Sequence, residues 1–443
     1  MAIPSTSRPR GGFAVVDASD PADPRVLAER RGLLADRPEG PLTGIHDAAV
    51  AGDRLLVVGP AGSVEGTPEA ALLFDISDRT SPRPTGVYLA EGLVHNGFLA
   101  EGVAYLCVVD EEVNPLVVLD AETQRELGRW SLPAHDSTWA EVPAGARPIH
   151  DVYVQAGRAY VALWDAGTWI LDVREPANPG VVASIGGRPL ETLTSVVDVG
   201  AAFRELPGNH HYAAPNGDGT VLAIGKEAWD DPSTSKRGGL AGIVPWDIDD
   251  LDAPKRLATL APPSTPDPTR NGVWTHAHNF DFDDGRLYTA WNRGGLRVYD
   301  VSDPAAPRRV AAWRDGSGGG FFEEGRASFW TAQSAPGSFF VASSWVTHDG
   351  SGDARLFTFP DPPRNRSDGT DRTRTRTERG TDTGTHIGEA RTSADDTRAT
   401  DGGAASTTVN APGFGAGAGL SGTTAGIGTA LWRARRRRAD SEE

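Results

Sequence analysis

The chain has 443 residues and a formal net charge of −17 at pH 7, long enough for one large or two ordinary domains with a sizeable core. The acid excess excludes general nucleic-acid binding, which rests on a basic surface. A single cysteine, Cys107, excludes an intrachain disulfide framework and a multi-thiolate metal site. Lysine is scarce (Lys226, Lys236 and Lys255) while arginine is common. That balance suits concentrated salt, whose ions screen self-repulsion, with an arginine-favouring genome as the alternative source.

Met1-Ala-Ile-Pro-Ser-Thr-Ser7 carries no apolar signal core. From residue 11 onward the dominant signal is repetition. An apolar strand ends in Asp and runs into a small polar turn with proline. Gly12-Phe-Ala-Val-Val-Asp17 is the first, followed by Ala71-Leu-Leu-Phe-Asp75, Leu116-Val-Val-Leu-Asp120 and Thr168-Trp-Ile-Leu-Asp172. Ile243-Val-Pro-Trp-Asp247 and Gly295-Leu-Arg-Val-Tyr-Asp300 continue the series. Successive aspartates stand 45 to 75 residues apart. A four-stranded propeller blade takes roughly 40–50 residues, so insertions account for the excess. A hairpin precedes each such strand, as in Ile149 to Trp164 around Ala156-Gly157 and Phe280 to Trp291 around Asp284-Gly285. A proline-bearing segment then leads to a short outer strand such as Arg309-Val-Ala-Ala-Trp313.

The expected fold is all-β: one β-propeller over residues 11–363, with seven four-stranded blades, the first of them incomplete. The first unit (11–36) lacks its two inner strands, and the last, from Ser328 through Phe359, lacks a clear outer strand. So few residues precede the first strand that a start truncated by gene model or by nature is expected. Residues 364–410 are rich in Thr, Asp, Arg and Gly with almost no large apolar side chains, and read as a disordered linker. Residues 411–443 form a tail. It holds Pro412-Gly413-Phe414, a weak apolar segment to Trp432, and the basic cluster Arg435-Arg-Arg-Arg438.

Five consecutive units place a histidine at the start of the innermost strand: His46, His95, His150, His211 and His278. Innermost strands of a propeller ring a central channel, so these imidazoles are expected around its axis, where they are candidate ligands for a divalent transition metal. His276 joins them, two residues from His278. The competing reading makes each histidine a buried strut paired with its unit's strand-terminal aspartate: Asp75, Asp120, Asp172, Asp247 or Asp300. Trp330 and Thr358 stand at the two positions in the last unit, so both partners vanish together, which favours the strut. Lys226, Glu227 and Trp229, near the end of a strand, are candidates for a channel mouth, with pairing at the surface the preferred reading, and the insertions 131–148, 186–208 and 230–242 are expected to carry partner-binding loops. No phosphate loop, nucleophile elbow or EF-hand spacing is present.

The strand and turn ending in Asp-x-Ser-Asp-Pro resemble the LVIVD repeat, and the 11–363 region is similar to haloarchaeal LVIVD-repeat proteins. The resemblance implies a seven-bladed propeller, export behind a leader upstream of Met1, and no established activity. The tail resembles the archaeal PGF-CTERM sorting signal, which implies processing, lipid anchoring at the membrane and an extracellular or cell-surface location. The histidine ring loosely resembles the channel histidines of the selenium-binding protein and methanethiol oxidase propellers. Two functions are expected. One is a monomeric cell-surface or secreted scaffold that binds an unknown protein or small molecule through its loops. The other is a metal-dependent oxidoreductase or hydrolase using the histidine ring.

Overall fold

The Asp-ended strand of the repeat is apolar on both faces. Ala70–Asp75 is buried at every position but its terminal aspartate, and Thr168–Asp172 and Leu116–Asp120 follow the same pattern. A sheet with such strands at its centre must be covered on both sides. The outer strand alternates instead: Gly180–Ile185 exposes every second residue.

The computed structural model describes residues 2–5, 11–110, 112–230, 241–269, 272–314, 328–346, 355–364 and 407–409. It is a β-propeller of six four-stranded antiparallel blades. The first blade is Asp47–Ala51, Arg54–Gly59, Ala70–Asp75 and Arg83–Leu89. The second is Leu93–Ala100, Val103–Val109, Leu116–Asp120 and Glu126–Trp130. The third is Asp151–Gln155, Arg158–Ala162, Thr168–Asp172 and Gly180–Ile185. The fourth is His210–Pro215, Val221–Lys226, Ile243–Asp247 and Lys255–Arg256. The fifth is Phe280–Asp283, Arg286–Trp291, Gly295–Asp300 and Arg308–Trp313. The sixth is Ser328–Ser334, Phe339–Val346, Arg355–Pro360 and Thr407–Val409.

The expected count of seven four-stranded blades is corrected to six. The N-terminal strands Ala2–Ser5, Gly12–Asp17 and Arg25–Arg31 make a three-stranded sheet. Ala2–Ser5 pairs with the Asp-ended strand where a blade's second strand would lie, and among the described residues no strand lies inside it. The sixth blade does gain an outer strand, Thr407–Val409, drawn from the segment read as linker. The tail from 410 lies outside the described residues, among which no helix is long and apolar enough to cross a membrane.

The N-terminal sheet closes the ring. Phe13 and Val15 pack with Leu55, Val57 and Leu72 of the first blade. Val16 packs with Val341 and Leu356 of the sixth. Thr358 Oγ1 donates to the Pro21 carbonyl at 2.6 Å across the same seam. A register shift recurs between the third and fourth strands of a unit, at Val15/Val16, Leu73/Phe74, Val118/Leu119, Ile170/Leu171 and Val298/Tyr299. A bulge at the same place in these five units adds local twist to their outer edges.

Phe13 is fully buried and meets Phe74 edge to face at 4.8 Å. Phe13→Ala should remove about 3–5 kcal/mol of stability, read as a lower urea midpoint by tryptophan fluorescence. An unchanged midpoint would mean that the N-terminal sheet does not close the ring.

Candidate metal centre

Each blade's innermost strand places one aromatic ring at the same level. His46 precedes Asp47–Ala51, His95 and His211 lie inside their strands, His150 precedes Asp151–Gln155, and His278 stands two residues before Phe280–Asp283. Trp330 fills the sixth place. Ring centroids are 4.2 Å apart for His95–His150, 4.0 Å for His150–His211 and 4.5 Å for His211–His278. Trp330 continues the circle, 3.8 Å from His278 and 5.4 Å from His46. The structure therefore brings together the five histidines expected there, with the tryptophan completing the circle. His276 reaches the cluster by another route, through Glu227.

Glu227, just past Val221–Lys226, is the residue that sequence reasoning misplaced. It is buried, not on the surface. One carboxylate oxygen lies 2.9 Å from His211 Nε2 and the other 3.6 Å from His276 Nε2. Burial pushes its acidity toward the neutral form, but the two imidazoles outweigh that and hold it below the ordinary carboxylate value. Trp229, also expected at the surface, is fully buried against Trp274 and His276, whereas Lys226 extends to the Pro207 carbonyl. The only signal for Glu227 in sequence was its place at the inner end of a strand.

His95, His150, His211 and His278 are all buried. Burial pushes His95 down to about 4 and His150 and His278 well below their ordinary value, so these rings are neutral at pH 7. His95 Nδ1 lies against the Ala61 carbonyl and His150 Nδ1 is 3.0 Å from the His211 carbonyl. One ligand atom from each of His150, His211 and Glu227 lies within 4.8 Å of the others.

The residues after the histidines form a second polar layer. Asp47 accepts from the Gly97 amide, and Asn96 donates to the His150 carbonyl. Asn279 of the fifth blade donates to Asp151 of the third at 3.2 Å, a bond across the channel. Burial pushes Asp47 up to about 6 and Asp151 well above the ordinary value, with the neighbouring Asp47 charge adding to the latter.

The histidine–aspartate struts are corrected. Asp75, Asp120, Asp172, Asp247 and Asp300 meet no channel histidine; each accepts the backbone amide two residues on, at 2.8–3.1 Å. Asp75 and Asp300 also pair with Arg83 and Arg308 on the neighbouring outer strand. The physical reason is local. A strand-end aspartate finds the turn's own amide before any distant partner, and so builds the tight turn that the repeat requires. Of the insertions, 131–148 packs Leu132, Trp139, Val142 and Ala146 into the core. The 186–208 insertion exposes most of 191–200, with Val197 97% accessible, and buries Leu193, Ala202 and Phe203. Residues 231–240 of the third lie outside the described residues.

Two segments, residues 146–185 and 285–312, match the LVIVD repeat. The chain is a β-propeller that carries matches to the LVIVD repeat in these two segments. A search of curated proteins finds no match. Among solved structures, a hypothetical selenium-binding protein from Sulfolobus tokodaii is similar in fold, with 13% identity and a TM-score of 0.52 over 82% of this chain and 88% of that one. A protein from Lactobacillus plantarum gives 11% and 0.53 over 81% and 91%. A putative 6-phosphogluconolactonase from Bacteroides uniformis gives 9% and 0.50 over 81% and 91%. At such identities the likeness is one of fold alone.

The neutral ring has a consequence for acid stability. Between the ordinary histidine value of 6.5 and about 4, the unfolded chain binds a proton that buried His95 refuses. Stability is thus complete above 6.5 and lost as pH falls through that window, at up to about 1.4 kcal/mol per pH unit for each such ring. His150 and His278 act in the same direction. The raised Asp47 and Asp151 oppose this over the same window, so the comparison is the test: between pH 7 and pH 5 chelator-treated His278→Phe should lose less urea midpoint than the parent. Equal losses in the two proteins would contradict a neutral, buried His278.

Proposed function

We propose that this LVIVD-repeat propeller is a metal-centred binding scaffold. A divalent transition metal sits at the channel, the exposed 186–208 insertion engages a protein or small-molecule partner, and no reaction is assigned. The observation that carries this reading is the convergence of His150, His211 and Glu227, with ligand atoms within 4.8 Å of one another. Burial keeps His150 neutral and Glu227 is held in its ionised form, and a metal binds neutral imidazole and ionised carboxylate. Removal of the aspartate struts strengthens the reading, because the channel histidines have no other carboxylate set to serve. Two histidines and a carboxylate also serve hydrolytic zinc and oxygen-activating iron. Such chemistry needs a position open to substrate, and all three side chains here are buried.

Protein purified from a salt-tolerant host without affinity metals should carry about one zinc, copper, iron, manganese or nickel ion per chain by elemental analysis. A His150→Ala, His211→Ala double variant should lose it. A metal-free parent would sink the reading. The acidic composition and the Pro412-Gly413-Phe414 tail support a cell-surface location. Protease shaving of intact cells should then release propeller peptides, and their retention inside the cells would contradict it.

A further inference from the structure

The hydrogen-bond pattern of His95 and His150 cannot be completed by two neutral rings. His95 Nδ1 faces the Ala61 carbonyl and His150 Nδ1 faces the His211 carbonyl. A carbonyl oxygen only accepts, so each Nδ1 must carry the hydrogen. A neutral imidazole has one N–H, and both Nε2 atoms are therefore left as bare lone pairs. Those two Nε2 atoms are 2.9 Å apart. Three contacts require three hydrogens, and the two rings supply two. Turning either ring's hydrogen toward the other leaves a buried carbonyl facing a lone pair. A cation between the rings satisfies all three contacts together.

Two nitrogens bound to one tetrahedral zinc-like ion sit about 3.3 Å apart, given bonds of about 2.0–2.1 Å. The observed spacing needs only a small opening to reach it. His150 links His95 to the set it forms with His211 and Glu227; His95 itself stands outside that 4.8 Å set and reaches it through its 2.9 Å contact with His150. His211 Nδ1 has no hydrogen-bond partner, which leaves one nitrogen of that ring uncommitted. His276 stands behind the carboxylate at its other oxygen. Metal-bound carboxylates and imidazoles are held by such outer partners.

We propose that His95 is the fourth ligand of the metal, closing a tetrahedral site with His150, His211 and Glu227 that has no vacancy for substrate. This rests on the metal reading above. His95 belongs to the second blade, His150 adjoins the third, and His211 and Glu227 belong to or adjoin the fourth. The ion therefore staples three neighbouring blades at the channel, and its role is structural. The four side chains are 1–5% exposed, as a closed structural site requires.

Cobalt(II) loading of the chelator-stripped full chain tests the geometry. The parent should bind about one Co²⁺ with the intense visible bands of a tetrahedral ion. Azide should leave those bands unchanged, since no position is free. His95→Ala should bind Co²⁺ about 100-fold more weakly, with the pale spectrum of a higher-coordinate, water-filled site. An azide-induced shift in the parent overturns the closed site without using any variant, and so holds even if His95→Ala fails to fold. A folded His95→Ala protein with parental affinity and spectrum overturns the fourth ligand. Either result leaves the three-residue metal reading standing. A parent that binds no cobalt overturns the fourth ligand and the metal reading together.

Discussion

Burial of the repeat strands on both faces is the constraint on which the rest of the structure depends. A strand such as Ala70–Asp75 cannot tolerate water on either side, so each blade needs two neighbours. A row of blades would leave two apolar end faces bare, and only a closed ring removes them. The N-terminal sheet supplies that closure with three strands, because the seam demands covered faces and not a complete blade. Its Phe13 and Val15 serve one neighbour while Val16 serves the other. The alternation of a strand's side chains to opposite faces makes this double duty possible.

Ring closure creates the channel, and the channel gathers groups that would otherwise be solvated. Five imidazoles, one indole and a carboxylate meet there, with four of the imidazoles and the carboxylate buried. Burial keeps His95, His150 and His278 neutral, while the adjoining imidazoles hold Glu227 ionised. A second layer, one residue along each strand, holds two aspartates and two asparagines: Asn279 reaches Asp151 across the channel, while Asn96 and Asp47 bond to the neighbouring blade. Polar groups so buried are costly unless they are satisfied. The shortage of one hydrogen between His95 and His150 therefore carries chemical meaning, and the proposed metal ion would answer it.

The strand-terminal aspartates do a different task on the outside of the molecule. Each folds its own turn through the amide two residues on, and some add an arginine on the neighbouring strand. Their recurrence reflects the backbone geometry of the repeat and not the chemistry of the channel. The fold-level likeness to a selenium-binding protein and to a putative lactonase shows how widely this scaffold is used.

The sequence by itself determined the propeller class, the position of the Asp-ended strands, and the presence of one histidine per unit at the innermost strand. These are local or periodic properties, written in alternating burial, turn residues and repeat spacing. Tertiary structure decided which side chains meet. It placed Glu227 among the imidazoles, sent the aspartates to the turns, and let Trp330 complete the circle beside His278. It also recruited Ala2–Ser5 and Thr407–Val409 as edge strands, which pair through backbone groups and so need little side-chain signal. Partnerships across the channel join residues up to 128 positions apart. Spacing along the chain carries no information about such distances, because the ring's closure sets them.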